Sequence, residues 1–85
     1  MAKEFSIEII SPEKNIYSGK IISLVAPAQL GYLGVLADHA PLAANTVSGK
    51  IILREASGRV VNIETKATGF LEVLNNHVTL LLSSI

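Results

Sequence analysis

The fold is decided by the stretch G-Y-L-G-V-L-A-D-H-A-P-L, residues 31–42, which places two glycines, an Asp-His pair and a proline close together. Gly31 and Gly34 can take positive φ or let another backbone approach closely. Pro41 fixes its own φ and pushes Ala40 into the extended region, so the chain before it does not form a helix. The stretch therefore predicts a turn, a short strand and a second bend, in a stiff loop that offers a surface.

Strand patterns precede this stretch. Residues 5–9 alternate apolar and polar side chains, which is the period of a half-buried strand. The Ser-Pro-Glu sequence at 11–13 ends that strand. A second extended piece is predicted over 16–26, with Gly19 as a bulge or bend in its middle and Pro27 as its end.

Strand patterns also follow it. Residues 45–49 are predicted to form a loop and residues 50–55 a strand. The Ala-Ser-Gly sequence at 56–58 then turns the chain into a partner strand over 59–64. In this hairpin, one face is expected to be lined by four apolar residues: Ile51, Leu53, Val61 and Ile63.

The final hairpin has the best-defined register. Asn75 and Asn76 both tolerate positive φ and suit a tight primed turn. That turn pairs Leu74 with His77, Val73 with Val78, Glu72 with Thr79, and Leu71 with Leu80. A slip by one residue would bury Glu72, so the pairing is well specified. Eight or more short strands, with no apolar pattern at helical spacing, predict an all-β sandwich or barrel.

Composition limits the classes of function. The 85 residues predict one domain, 1–85, and the absence of cysteine excludes disulfides and thiolate metal sites. Seven cationic and seven anionic side chains balance, so nucleic acid is not an expected partner. Hydrophobic residues make up 49% of the chain and charged residues only 16%, against about 25% charged in an average domain. Part of this apolar surface should remain exposed for another protein.

Catalytic and metal sites are both disfavoured. Asp38 and His39 resemble half of a catalytic pair, but neighbours in an extended segment point to opposite faces. His39 and His77 lack metal-ligand spacing. We therefore expect no catalytic residues, no metal and no cofactor, and an interaction module is favoured over an enzyme.

Three ordered motifs resemble one family. Residues 31–42 are similar to the G-E-[IL]-G-[IL]-[LY]-P-G-H-A-P-L signature of the epsilon subunit of F-type ATP synthases, whose mitochondrial counterpart is called delta. Residues 11–19 resemble the family's S-x-E-x-x-x-[FY]-S-G segment. Residues 69–73 and 77–80 resemble its G-[FI]-L-E-V and N-x-V-T-V closing hairpin. The resemblance spans nearly the whole chain in the same order.

The resemblance implies a flattened ten-stranded β-sandwich at the foot of the central stalk, turning with the rotor. Such a subunit is peripheral to the inner (plasma) membrane on the cytoplasmic face, and meets the membrane only indirectly, through the c-ring. Its partners would be the gamma subunit and the polar loops of the c-ring. The implied gamma contacts are His39, Ala40, Pro41, Leu42 and Ala44. The implied c-ring contacts are Gly31, Tyr32 and Leu33.

The sequence departs from the family pattern at several points. Tyr32 replaces the usual acidic residue, so a carboxylate contact to the c-ring is not expected. Ala37-Asp38 replaces the common Pro-Gly, although aspartate tolerates the left-handed region better than most residues. The chain also stops at Ile85, without the C-terminal two-helix hairpin of many members. A naturally short chain would lack regulation by that hairpin, whereas an excised domain would leave the question open.

The preferred interpretation is a non-catalytic rotor subunit that couples gamma to the c-ring, and so couples proton flow to ATP synthesis. An unrelated β-sandwich adaptor that binds another protein through the same loop is the alternative. A small hydrolase that uses His39 is a third and more remote alternative.

Overall fold

The computed structural model describes residues 3–84, and these residues form β-strands and no helix. Residues 1, 2 and 85 of the predicted domain lie outside the described range. The nine strands are β1 Phe5–Ile10, β2 Asn15–Ile21, β3 Ser23–Ala28, β4 Gly31–Val35, β5 Leu42–Thr46, β6 Gly49–Arg54, β7 Val60–Thr65, β8 Gly69–Leu74 and β9 His77–Leu82. The all-β prediction is confirmed, with nine strands in the described residues where the resemblance implied ten.

The strands form two layers of one curled sheet. One layer has the order β2-β1-β9-β8-β5, and the other consists of β3, β6 and β7 with β4 on the free edge of β3. The layers join where Ala28 of β3 pairs with Thr46 of β5. The neighbours pair antiparallel except β1 and β9, which run parallel. The sheet therefore folds over on itself as a sandwich.

The core lies between the layers and follows the period of two along each strand. On β1, Phe5, Ile7 and Ile9 are buried while the residues between them are half-buried. The second layer contributes buried side chains from β3, β4 and β6. The largest fully buried side chains are Phe5, Ile7, Ile9, Ile21, Leu24, Ile51, Leu53, Leu71, Leu80, Val35 and Val78.

Both predicted hairpins are confirmed. Asn75 and Asn76 have φ of 50° and 60°, as a primed turn requires, and the four predicted pairs of β8 with β9 are all formed. In the β6–β7 hairpin, Ile51 pairs with Ile63 and Leu53 with Val61, so these four side chains share the core face.

The predicted bulge at Gly19 is wrong. Gly19 pairs in regular register with Ile7, and the extended piece divides instead at Ile22, between β2 and β3. The register shifts nearer the start of β2, where the consecutive Ile9 and Ile10 pair with Tyr17 and Asn15, so the extra residue is Ile16 of β2 itself. A Cβ at position 19 would lie 3.3 Å from the hydroxyl of Tyr17, so the glycine leaves room for that ring.

Two predicted strand ends are also wrong. Pro27 lies inside β3 rather than after it, because Ala26 and Pro27 fall between the pairing of β3 with β6 and its pairing with β5. No backbone donor is needed at that point, and the carbonyl of Pro27 accepts from the N–H of Val47 at 3.0 Å. The predicted loop 45–49 shrinks to residues 47 and 48, because β5 continues through Thr46 and β6 starts at Gly49.

Gly69 has the least room for a side chain among the glycines of the chain. A Cβ there would lie 2.5 Å from the carbonyl oxygen of Leu81 and 2.8 Å from Oγ1 of Thr46. The obstructing carbonyl belongs to the backbone of β9 and cannot rotate away. A side chain at this position would therefore force β8 away from β9.

Replacing Gly69 by Ala should lower the free energy of unfolding by about 1–3 kcal/mol, through this overpacking. The matched control is Gly34→Ala on β4, where the nearest atom to an added Cβ is 3.9 Å away. That control should change stability by less than about 0.5 kcal/mol. Urea denaturation of both variants measures the difference, and equal effects would contradict the packing account.

Tyr17 connects the two layers. Its hydroxyl donates a hydrogen bond of 2.6 Å to Oε2 of Glu55, just after β6, and Arg59 lies 3.8 Å from the same carboxylate oxygen. Burial, the hydrogen bond and the charge of Glu55 raise the pKa of Tyr17 from 10.0 to about 12. Because the pKa is higher in the folded state, this interaction stabilises the fold below pH 10 and is lost as pH rises through about 12.

Replacing Tyr17 by Phe should lower the free energy of unfolding by about 1 kcal/mol at neutral pH, because the hydrogen bond is lost. Above about pH 10 the difference in free energy of unfolding between wild type and variant should become smaller, since only the wild type loses stability by ionisation of this phenol. Denaturation curves across this pH range test the prediction. A gap that stays constant up to pH 12 would contradict it.

Candidate protein-binding surface

The stretch 31–42 has the shape that its sequence predicts. It forms β4, then a bend at Ala37 and Asp38, and then enters β5. Gly31 has φ of 122° and Asp38 has φ of 63°, both in the region that glycine favours. The predicted turn, short strand and second bend are therefore confirmed.

The three predicted c-ring contacts divide between two faces. Gly31 and Tyr32 are exposed, and Tyr32 is 60% accessible. Leu33 points to the face of β4 opposite Tyr32 and packs against the core. Sequence reasoning missed Leu30, which is fully exposed at the tip of the β3–β4 turn. A leucine where such a turn normally takes a polar residue or glycine was the available signal.

The five predicted gamma contacts divide in the same way. His39, Ala40 and Pro41 are consecutive and exposed. Leu42 and Ala44 are half-buried, because they pair with Val73 and Leu71, which belong to the core. The first group forms a continuous exposed segment, which we call the 39–41 segment, and the second group forms the inward face of β5.

Most of these residues line one of two open grooves. The first, of about 360 Å³, lies at the β3–β4 tip and is lined by residues 28–33 together with Ala44 and Asn45. The second, of about 260 Å³, lies over β5 and β8 and is lined by residues 41–43 and 72–74. The predicted c-ring contacts thus share the first groove with Ala44, which was predicted to contact gamma. Pro41 and Leu42 share the second groove with Leu74.

An apolar row crosses the outer face of the larger layer. Phe70 pairs with Leu81, and Leu81 pairs with Ile10, so the three side chains lie side by side across β8, β9 and β1. Phe70 is 43% and Leu81 is 45% exposed. Sequence reasoning missed this row, although three consecutive leucines at 80–82 force the middle one to face outward. The expectation that apolar surface remains exposed is confirmed.

Asp38 is held by two neighbours. Its carboxylate accepts from Nζ of Lys3 at 2.9 and 3.1 Å and from Nδ2 of Asn76 at 2.9 Å, while its backbone N–H donates to Oδ1 of Asn76 at 2.6 Å. The hydrogen bond from Asn76, followed by that from Lys3, lowers the pKa of Asp38. The carboxylate is thus engaged away from His39, whose Nδ1 bonds the carbonyl of Ala40 at 2.8 Å.

The remaining histidine also has a local partner. Nδ1 of His77 lies 2.7 Å from Oγ of Ser6, on the neighbouring strand β1. Across residues 3–84, His, Cys, Asp and Glu side chains form no cluster of three or more that could bind a metal ion. No helix in this part of the chain is long and apolar enough to cross a membrane.

The chain is a two-layer β-sandwich that exposes an apolar outer row and an apolar loop tip at Leu30. Residues 4–85 match the family model described as "ATP synthase, Delta/Epsilon chain, beta-sandwich domain". The chain belongs to this family.

Curated relatives agree with this assignment. The chain is 38% identical over 79 residues to the ATP synthase epsilon chain of Natranaerobius thermophilus, covering 93% of this chain and 56% of that protein. It is 40% identical over 83 residues to the epsilon chain of Chlorobaculum tepidum, covering 98% of this chain and 93% of that protein. The chain spans about three-fifths of the length of several other relatives, such as 61% of the epsilon chain of Leptospira borgpetersenii.

Solved structures share the fold. A chain of the Euglena gracilis mitochondrial ATP synthase, solved as OSCP/F1/c-ring, matches with a TM-score of 0.86 and 16% identity, over 93% of this chain and 50% of that chain. A chain of the Tetrahymena thermophila mitochondrial ATP synthase, solved as central stalk/c-ring, matches with a TM-score of 0.78 and 12% identity, over 98% of this chain and 66% of that chain.

Proposed function

We propose that this chain is a non-catalytic central-stalk subunit of a proton-translocating F-type ATP synthase, which binds gamma and contacts the c-ring. The observation that carries the proposal is the family match over residues 4–85, in a fold shared with chains of two mitochondrial ATP synthases. In this role the chain couples proton flow to ATP synthesis by transmitting torque, and it sits at the cytoplasmic face of the membrane through the c-ring.

The local geometry supports a mechanical role. Asp38 is bound by Lys3 and Asn76, and His39 bonds its own neighbour, so the pair is not arranged for proton transfer. The layers, by contrast, are tied by a shared core and by the Tyr17–Glu55 hydrogen bond. A body of this kind can pass force between two partners without deforming.

For gamma, we propose the surface formed by the 39–41 segment and the groove over β5 and β8. The exposed 39–41 segment leads directly into this groove, where Leu74 is 48% exposed. The side chains of Leu42 and Ala44 face inward, so we propose that they support the surface indirectly, by fixing the position of β5 against β8. An apolar groove next to a stiff loop is suited to a protein partner.

The gamma contact is tested by replacing Leu74 with Asp. A charge placed in an apolar interface should weaken binding to gamma of the same synthase by about tenfold or more. The matched control is Val60→Asp on β7 in the other layer, where the side chain is exposed to a similar extent, 42% against 48%. Gel filtration with mass measurement, followed by calorimetry, gives stoichiometry and affinity.

A one-to-one complex with wild type, weakened only by the Leu74 variant, is the expected result. If wild type and gamma do not associate, the central-stalk role is wrong and the adaptor alternative takes its place. If both aspartate variants bind like wild type, gamma binds elsewhere on the chain.

For the c-ring, we propose the tip of the β3–β4 hairpin. Leu30, Gly31 and Tyr32 are exposed together there, and Leu33 fixes the tip to the core from the inner face. The Tyr32 hydroxyl lies 3.4 Å from the backbone N–H of Lys50, which leaves its own proton free to donate to a partner. A phenol and a leucine would thus replace the usual carboxylate at this contact.

The c-ring contact is tested by replacing Leu30 with Gly in the assembled synthase, which removes the exposed side chain at the tip. ATP-driven proton pumping in vesicles should fall relative to ATP hydrolysis, because the subunit would hold the ring less firmly. Binding of the variant to isolated gamma should remain unchanged. Unaltered pumping per ATP hydrolysed would exclude the hairpin tip as the c-ring contact.

A further inference from the structure

A reciprocal pair of hydrogen bonds joins the bend before β5 to the β8–β9 turn. The backbone N–H of Asp38 donates to the Asn76 side chain at 2.6 Å, and the Asn76 side chain donates back to the Asp38 carboxylate at 2.9 Å. The two residues are 38 positions apart in the chain. Among the side-chain hydrogen bonds of the described residues, those of Asp38 are the ones that tie residues 36–41 to another element.

The backbone conformation accepts aspartate and asparagine at these two positions but requires no side chain at either. Asp38 has φ of 63° and Asn76 has φ of 60°, a region that glycine enters without strain. Glycine would therefore serve the bend and the turn equally well. The side chains at 38 and 76 add a contact that glycine would lack.

Asn76 is itself anchored to the body of the sandwich. Its carbonyl accepts from the backbone N–H of Ser6 at 3.0 Å, and the Ser6 hydroxyl lies 3.3 Å from the same oxygen. The turn is thus fixed to β1 as well as to β8 and β9. A bond from Asp38 to this turn holds the start of the 39–41 segment against a rigid support.

We propose that Asp38 and Asn76 are positioning residues that order the 39–41 segment for binding to gamma. The inference deepens the proposed gamma contact and rests on it. A segment that is already ordered loses less conformational entropy when it binds, so the hydrogen-bonded pair raises affinity without touching the partner. Lys3 adds an exposed ion pair to Asp38, which contributes little.

The proposal is tested by Asp38→Gly, Asn76→Gly and the double variant. Each keeps a residue that accepts positive φ, so the fold remains. Asn76→Gly removes both hydrogen bonds, whereas Asp38→Gly removes the bond to the carboxylate and keeps the one that the backbone N–H donates. Amide hydrogen exchange at residues 38–40 should accelerate by about tenfold in Asn76→Gly and by less in Asp38→Gly, in which the residue 38 amide keeps its acceptor. The dissociation constant for gamma should rise several-fold in Asn76→Gly and by a smaller factor in Asp38→Gly. The double variant should bind no more weakly than Asn76→Gly, because that substitution already removes both hydrogen bonds.

The matched control is Asn75→Gly. Asn75 shares the turn and has φ of 50°, and in the described part of the chain its side chain makes no hydrogen bond to the 36–41 region. Exchange and gamma binding should both stay at wild-type values. A change as large as in Asn76→Gly would show that turn flexibility, and not the pair, controls the segment.

A conservative variant, Asp38→Asn, distinguishes the effect of the hydrogen bonds with Asn76 from the effect of the negative charge of Asp38. Asp38→Asn also tolerates positive φ, and its amide oxygen can still accept from Asn76, but it loses the ion pair with Lys3. It should behave like wild type in exchange and binding. Loss of affinity equal to that of Asp38→Gly would overturn the proposal in favour of a charge effect.

Failure of the inference is distinguishable from failure of the proposed function. If wild type binds gamma and the glycine variants bind and exchange like wild type, the positioning role is wrong. If wild type does not bind gamma, the proposed function is wrong and the binding role of the pair is overturned with it.

Discussion

Burial of one apolar face from each layer is the constraint on which the rest of the molecule depends. Successive side chains along a strand point to opposite faces, so burying one face of β1, β8 or β9 dictates what the other face presents. Phe70 and Leu81 are outside because Leu71 and Leu80 are inside. The exposed apolar row is therefore a consequence of the core, and a change of register would lose both.

Local signals allowed part of the fold to be predicted. The β8–β9 register follows from a two-residue turn and an alternating pattern that lie within a dozen residues of each other. The parallel pairing of β1 with β9 carries no such signal, because it joins the two ends of the chain. Pro27 shows the same limit, since its place inside β3 depends on where β3 changes from β6 to β5 as its neighbour.

The candidate site shows which properties need the tertiary structure. The sequence located the stretch 31–42 and its two bends, because glycine and proline act on their own backbone. It did not separate the exposed 39–41 segment from the inward Leu42 and Ala44, since that depends on pairing with β8. The sequence also did not predict the contact between Asp38 and Asn76. A contact between residues so far apart in the chain depends on the placement of every strand between them.

The position of β9 affects how its layer is assembled during synthesis. Of the nine strands described, it is made after the other eight, yet it lies in the middle of its layer, between β1 and β8. Until it emerges from the ribosome, the early pair β1–β2 has no hydrogen-bonded neighbour through which to join β8 and β5. The layer is assembled only when β9 inserts, so nascent chains that lack β9 expose two incomplete sheet edges to aggregation.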